Sequence, residues 1–348
     1  MRRWIFAAAT SALLALAGPS VALACGGLVA PNGSVNLVRT ATLAAYRNGV
    51  EHYVTSFQFE GNLKGKFGSI IPLPAIPSRV RRGGEWTLQR LLQEVAPPIR
   101  RTSLESADFA VAANQAQVIL EKQIESLDVA VLKGGGDEVG LWAKNNGFFL
   151  PPDAPEVLDF YAARSPIFMA VRFDADRARE QGLTSGDGIP VHVTIPTPNP
   201  WVPLRILGLG KEAEERVEAD VFLLTEGAPT MLPAPRKNAS EGLILDRQEL
   251  ASESLLADLR SDRGMKWLPT DGMWLSYIKI DTTAGDLKHD LAVDSLGIAD
   301  PSPVAAGLVL PDLNFETPEG STGWWAWLLA ALSGAAGLVF VDRFVLGR

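Results

Sequence analysis

Three histidines, one cysteine and a few close-set carboxylates are the residues of this chain with the chemistry for catalysis or metal binding. His52, His192 and His289 stand far apart, none with another within helical reach. No zinc-type spacing forms, and each reads as an ordinary surface or core histidine. Asp174-Ala175-Asp176 puts two carboxylates on one side of an extending strand, where calcium could sit. It lacks the glycine and distal glutamate of a calcium loop and reads as a solvated turn. Asp286, Asp290 and Asp294 would share a helical face, where like charges repel and nothing completes a site. Gly134-Gly135-Gly136 precedes a helix as a phosphate cradle would. The Lys-Ser/Thr of a P-loop is missing, however, and Asp137-Glu138 would repel the anion. No Gly-x-Ser-x-Gly is present. The sequence therefore nominates no catalytic, cofactor-binding or metal residue.

Two segments suggest recognition or processing instead. Pro196-Thr197-Pro198-Asn199-Pro200-Trp201-Val202-Pro203 is rich in proline, which favours an extended, hydrogen-bond-poor backbone. Trp201 could be an exposed binding anchor, but packing as a rigid crossover into the core is the favoured reading. At the N-terminus, Met1-Arg2-Arg3 precedes an apolar run that spans only ~21 Å as a helix, short of a ~30 Å hydrocarbon core. Gly18-Pro19 then breaks it, and Ala22-Leu23-Ala24 has the small residues a signal peptidase reads. Cleavage is expected between Ala24 and Cys25. Leu23-Ala24-Cys25 also resembles a lipobox, which makes Cys25 a lipidation candidate, although Ala22 stands where lipoproteins usually carry leucine.

The other end mirrors this. Trp324 to Val341 carries no charge and is as long as a short spanning helix, with tryptophans at its start and Arg343 and Arg348 after it. The expected organisation is a signal peptide at 1–24, an extracytoplasmic domain at 25–315 and a linker at 316–323. A transmembrane helix at 324–342 and a cytoplasmic tail at 343–348 complete it. The same tail also has the form of a sorting signal that is later removed. Sub-boundaries are conceivable near 105–116 and 226–245. With a single cysteine no intrachain disulfide can form, so burial alone must hold the exported domain.

The elements between the ends are mostly strands. Val35 to Tyr46 and Val50 to Gly61 flank Asn48-Gly49, a hairpin turn. Phe67 to Ile71 is a third strand, which Pro72 and Pro74 should end. Thr87 to Val95 is a helix with Thr87 as cap and Pro97-Pro98 as stop. Val118 to Ile124 and Leu127 to Leu132 form a second pair. Helices follow at Asp137 to about Asn145 and, capped by Asp153, at Ala154 to Ala163. Further strands are expected at 167–173, 189–194, 204–209, 218–224 and 272–280, and a helix at 248–259 from its leucine spacing. Strands in adjacent pairs argue for an α+β class with mainly antiparallel sheet.

These pieces resemble a known family. Cys25-Gly26-Gly27 follows the signal; Phe67-Gly68-Ser69-Ile70-Ile71-Pro72-Leu73-Pro74, Asp128 to Leu132, Trp142 to Pro152, Ile167 to Phe173 and Pro190 to Arg205 follow in order. Over residues 25 to 280 this is similar to the bacterial domain-of-unknown-function family numbered 2330. The resemblance implies export and often a C-terminal span; it implies no activity. Relatives often have tryptophan before the first proline pair, where this chain has Phe67 to Ile71, and often carry further cysteines.

The chain has 47 % apolar and 21 % charged residues and a net charge of −8. An acidic surface disfavours a nucleic-acid partner. The expectation is a non-catalytic binding or structural module of the cell envelope, held at the membrane by its tail, with an envelope protein or glycan as partner and no cofactor. The alternative is an envelope hydrolase using carboxylates gathered by the fold, such as Asp174 and Asp176.

Overall fold

The computed structural model describes residues 27–29, 36–60, 66–95, 116–180 and 189–309. In chain order they form β1 (Gly27–Val29), β2 (Asn36–Arg47), β3 (Val50–Glu60), β4 (Lys66–Leu73), β5 (Arg79–Arg82) and α1 (Thr87–Val95). Next come β6 (Gln117–Ile124), β7 (Leu127–Lys133), α2 (Gly136–Asn145), α3 (Ala154–Ala162), β8 (Ile167–Asp174) and α4 (Ala175–Glu180). The last part holds β9 (Val191–Pro196), β10 (Trp201–Val202), β11 (Arg216–Thr225), β12 (Thr230–Leu232), β13 (Gly242–Leu250), α5 (Glu253–Ser261), β14 (Trp274–Thr283) and β15 (Leu291–Asp294). The signal segment with Ala24 and Cys25, the Ala-rich stretch to residue 115, the linker and the apolar tail lie outside the described residues. Among the described residues no helix is long and apolar enough to cross a membrane.

The strands make a seven-stranded sheet in the order β13-β14-β11-β2-β3-β9-β5, a five-stranded sheet β1-β4-β8-β7-β6 and a three-stranded sheet β10-β15-β12. Among these strands only β2 and β11 pair in parallel, so the class is α+β with mainly antiparallel sheet, as the sequence predicts. The β2–β3 hairpin turns where expected, with Asn48 at φ 51° and Gly49 at φ 76°, the left-handed pair that a two-residue turn requires.

The seven-stranded sheet is buried on both faces. Ala44, Tyr53, Val193, Val221 and Leu223 face one core, shared with residues of the five-stranded sheet and of α2 and α3. Leu43, Ala45, Val54, Phe222 and Leu224 face a second core under α1 and α5. Strands buried on both sides read as continuous apolar runs, and Val221-Phe222-Leu223-Leu224 is one. Helix α5 fixes the second core through Leu255, Leu256 and Leu259, each fully buried and each contributing roughly 1.5–3 kcal/mol.

Several local expectations are corrected. Pro72 does not end its strand: β4 runs to Leu73, with Pro72 opposite Phe168 on β8, past the point where β1 stops pairing at Ile70. Residues 204–209 are not a strand but hold a 3-10 turn, Arg205–Gly208. The backbone N–H groups of Leu204 and Arg205 donate to Asp290, and that of Ile206 donates to the Tyr161 hydroxyl, so none is left for a ladder. Residues 248–250 finish β13; the helix starts only at Glu253, where the Ser252 hydroxyl accepts from Leu255 N. Thr87 does not cap α1. The Asp262 carboxylate does so from far along the chain, accepting from the N–H groups of Glu85, Trp86 and Thr87 and from the Thr87 hydroxyl. Asp153 accepts from Gly210 N rather than capping its own helix.

Candidate functional site

Register brings two of the three histidines together. On the β3–β9 ladder His52 stands opposite Thr194 and Val54 opposite His192, so His52 and His192 are diagonal neighbours on one face. On the β9–β5 ladder Arg79 stands opposite Thr194 and Arg81 opposite His192. Two rows therefore cross three strands, His52-Thr194-Arg79 and Val54-His192-Arg81, on the face that carries α1 and α5. His52 Nδ1 lies 2.9 Å from His192 Nε2. Arg81 Nη2 lies 3.5 Å from His192 Nδ1 and donates to Gly264 O at 2.9 Å.

The loop after α5 closes the arrangement. Trp267 stacks on His52 with ring centroids 3.6 Å apart and planes 8° apart, while Arg47 donates to the Trp267 carbonyl. Gly264, at φ +81°, lets the backbone approach the Arg81 guanidinium; a Cβ there would sit 3.1 Å from its central carbon. The result is a cleft of about 600 Å³ lined by His52, Ser78, Arg79, Arg81, Thr194, Gly264, Lys266 and Trp267. Three lining residues are cations and none is a carboxylate. Burial first, and then the Arg81 charge, pushes His52 down to about 4. Burial, then Arg81, His52 and Arg79 push His192 down to about 3. Both imidazoles are neutral at pH 7 in a positive field.

Neighbouring Glu51 projects to the opposite face of β3, with Tyr46 and Ile195 beside it in the ladders. It is fully buried and neither carboxylate oxygen has a hydrogen-bond partner. Burial raises its pKa to about 8.

The other nominated residues lie elsewhere. Trp201 is not a surface anchor: it is 4 % exposed and stacks on Tyr161 at 5.8 Å, with the Arg164 guanidinium 5.0 Å from its ring. Asp286, Asp290 and Asp294 share no helix. Asp286 accepts from Thr283 and Asp294 from Ile298 and Ala299 N–H, while Asp290 is a buried hub. Asp174 is buried next to Arg177, which also pairs with Asp128, whereas Asp176 is exposed. Asp128 in turn pairs with Arg172, and both line a second cleft of about 260 Å³ together with Glu121, Lys122, Ala130 and Ala170. The charges there neutralise one another. The glycine triplet starts α2, with Gly135 as its N-cap, and Gly136 lets the helix approach Asp159 of α3, where a Cβ would clash. His289 stands apart, 3.3 Å from Gly307 O. Among the described residues no three His, Cys, Asp or Glu side chains converge for a metal ion.

A model of a family described as an uncharacterized protein conserved in bacteria, DUF2330, matches residues 19–227. The chain belongs to this family. The DUF2330 match starts before Cys25 and stops short of residue 280, the end expected from the sequence. In this DUF2330 member it contains His52, Arg79, Arg81, His192 and Thr194, whereas Gly264, Lys266 and Trp267 lie beyond it. No match was found among curated proteins. Among solved structures, the chain is similar to baculovirus P35 at 11 % identity over 75 % of this chain and 97 % of that one, with a TM-score of 0.40. A mutated baculovirus P35 after caspase cleavage is similar at 11 % identity over 74 % and 94 %, with a TM-score of 0.29. Both scores are too low to equate the folds.

Proposed function

We propose that this protein is an exported, membrane-anchored binding module of the bacterial cell envelope, and that its cleft at His52 holds a negatively charged group of an envelope ligand without catalysing a reaction. The observation that carries the reading is the cleft's charge. Arg79, Arg81 and Lys266 line one hollow with no acid among its lining residues, on a chain whose net charge is −8. Concentrating cations in one hollow of an acidic protein focuses the field on an incoming anion. Signal cleavage before Cys25, with or without its lipidation, and the apolar tail supply the address and the tether. The hydrolase alternative gains nothing from Asp174 and Asp176, since the first is matched to Arg177 and the second is exposed.

The test is titration of full-length protein in non-ionic detergent with sodium sulfate and, separately, with soluble short-chain phosphatidylglycerol. Wild type should bind at least one of them, and the Arg79→Ala, Lys266→Ala double variant should bind at least about tenfold more weakly, as loss of two cations requires. Equal binding by both proteins, or none by wild type, overturns the reading. Mass spectrometry of the mature N-terminus should find it at Cys25; a chain retaining Met1 and Arg2 would remove the envelope address.

A further inference from the structure

The hydrogen bonds in the cleft fix where its protons sit. Arginine can only donate, so the hydrogen bond from Arg81 Nη2 makes His192 Nδ1 an acceptor. The one proton of neutral His192 is then on Nε2 and is donated to His52 Nδ1. The one proton of neutral His52 is in turn on Nε2. That N–H ends the chain Arg81–His192–His52 and has no partner among the described residues, while stacking on Trp267 prevents the ring from turning to find one. The groups around the pair are cationic or neutral. From β3, β9 and β5 they are His52, His192, Thr194, Arg79 and Arg81; from β2, Arg47; from the loop, Lys266 and Trp267. The loop's Asp262 is engaged by the start of α1. Helices α1 and α5 face this core with leucines, and their Arg90, Glu94 and Asp258 pair with one another.

Building on the anion-binding reading above, we infer that an oxyanion is bound by His52 Nε2–H together with Arg79, Arg81 and Lys266, and that the bound anion draws one proton from solution onto the His52–His192 pair. Burial and then the neighbouring cations keep both rings neutral; a negative ligand among them offsets the cations and gives the imidazolium a direct counter-charge. The pair then has one acceptor nitrogen open to a new proton, His192 Nδ1. The proton added there lets His192 Nε2 pass its own to His52 Nδ1, so that His52 becomes the imidazolium facing the anion. The pair gains one proton and one charge. Only the long 3.5 Å hydrogen bond between Arg81 and His192 is broken by this step, and Arg81 keeps its bond to Gly264 O. His52 is thus a binding residue that reads the ligand's charge, and His192 positions it and relays the proton. The ligand class is an oxyanion, carried by a free anion or by a lipid headgroup.

The decisive experiment is calorimetric titration of full-length protein in non-ionic detergent with sodium sulfate, whose charge does not change between pH 5.5 and 7.5. It is run in buffers of different ionisation enthalpy, and short-chain phosphatidylglycerol provides the arm for a lipid source. The expected result is uptake of close to one proton per anion and an affinity that rises about a hundredfold from pH 7.5 to 5.5. His52→Gln should abolish both the proton uptake and the pH slope. His192→Gln, which leaves the Trp267–His52 stack in place, should do the same and covers the case in which the first variant does not fold. Anion binding without proton uptake in wild type overturns this inference and leaves the anionic cleft standing; no binding of sulfate or headgroup at any pH removes both. Tighter binding of the lipid headgroup than of sulfate, with the same proton uptake, supports the inference and assigns the source to lipid.

Discussion

Two polar clusters of this molecule are built to opposite plans. Asp290 is fully buried and every group around it is used. One carboxylate oxygen accepts from the Tyr161 hydroxyl at 2.8 Å and from the N–H groups of Leu204 and Arg205 at 2.7 and 3.0 Å; the other accepts from Arg164. Arg164 also donates to the carbonyls of Ala305 and Phe160 and lies over the Phe160 ring at 4.2 Å. The His52 chain begins with a long 3.5 Å bond from Arg81 and stops at an N–H that faces a cleft. A closed network fixes shape, here by tying α3, the 3-10 turn and β15 together. An open one in a positive hollow is complete only with something from outside the chain.

The largest expected effect tests the closed side. Asp290→Ala would leave Arg164, whose side chain is 2 % exposed, as an uncompensated buried charge and would orphan two backbone donors. Guanidinium unfolding should show a loss of about 3–5 kcal/mol, against about 1–2 kcal/mol for His52→Ala, which removes one neutral hydrogen bond and the Trp267 stack beside a cleft. Equal losses would end the contrast between the two clusters.

A second effect, a decline of roughly 2 kcal/mol between pH 6.5 and 8, comes from the two faces of β3. Glu51 titrates near 8 when folded against 4.5 unfolded, so the folded state holds the extra proton. Its contribution is full below pH 4.5 and is lost as pH rises through 8. The histidines, at about 4 and 3 against 6.5, behave oppositely: their contribution is full above 6.5 and is lost as pH falls toward 4. Between 4.5 and 6.5 the unfolded chain holds two imidazole protons and the folded chain one Glu51 proton, so unfolding takes up a net one and stability rises with pH. Between 6.5 and 8 the count is none against one, and stability falls. From these three groups the optimum lies near pH 6.5. Glu51→Gln should flatten the decline above 6.5 and double the slope below it, read by urea midpoints at pH 5, 7 and 9. Parallel profiles for variant and wild type would show that Glu51 is not a buried neutral acid.

The sequence shows what is local. The Asn48-Gly49 hairpin, the bounds of α1 and the β6–β7 pair follow from turn chemistry and from apolar spacing within a few residues. What it hides depends on interactions across the chain. His52 and His192 are 140 positions apart and meet only because β3 and β9 pair in one particular register. Nothing in the local pattern marks them, since both faces of their sheet are buried and alternation is lost. Asp262 caps a helix that starts 175 residues earlier, and Leu204 to Leu209 looks like a strand until Asp290 and Tyr161 claim its donors. Trp201 is open to both readings in the sequence: its proline-rich segment allows an anchor, but the favoured packing holds, with its indole filling the space over Tyr161. The cations of the cleft are equally hidden, being spread over β5 and a loop after α5.

The finest distinction between the clusters is coupling. If the Asp290 network is cooperative, a double-mutant cycle between Tyr161→Phe and Asp290→Asn should give about 1.5–3 kcal/mol, the range for a hydrogen bond to a charged group. The same cycle between His52→Gln and His192→Gln should give about 1 kcal/mol or less without ligand, because the bond joins two neutral rings and one of them is partly exposed. Saturating sulfate should raise only the second value, since the anion turns a neutral hydrogen bond into a charge-assisted one. A histidine coupling that is large before any anion is added would mean that the chain has no open end, and that the cleft was already complete.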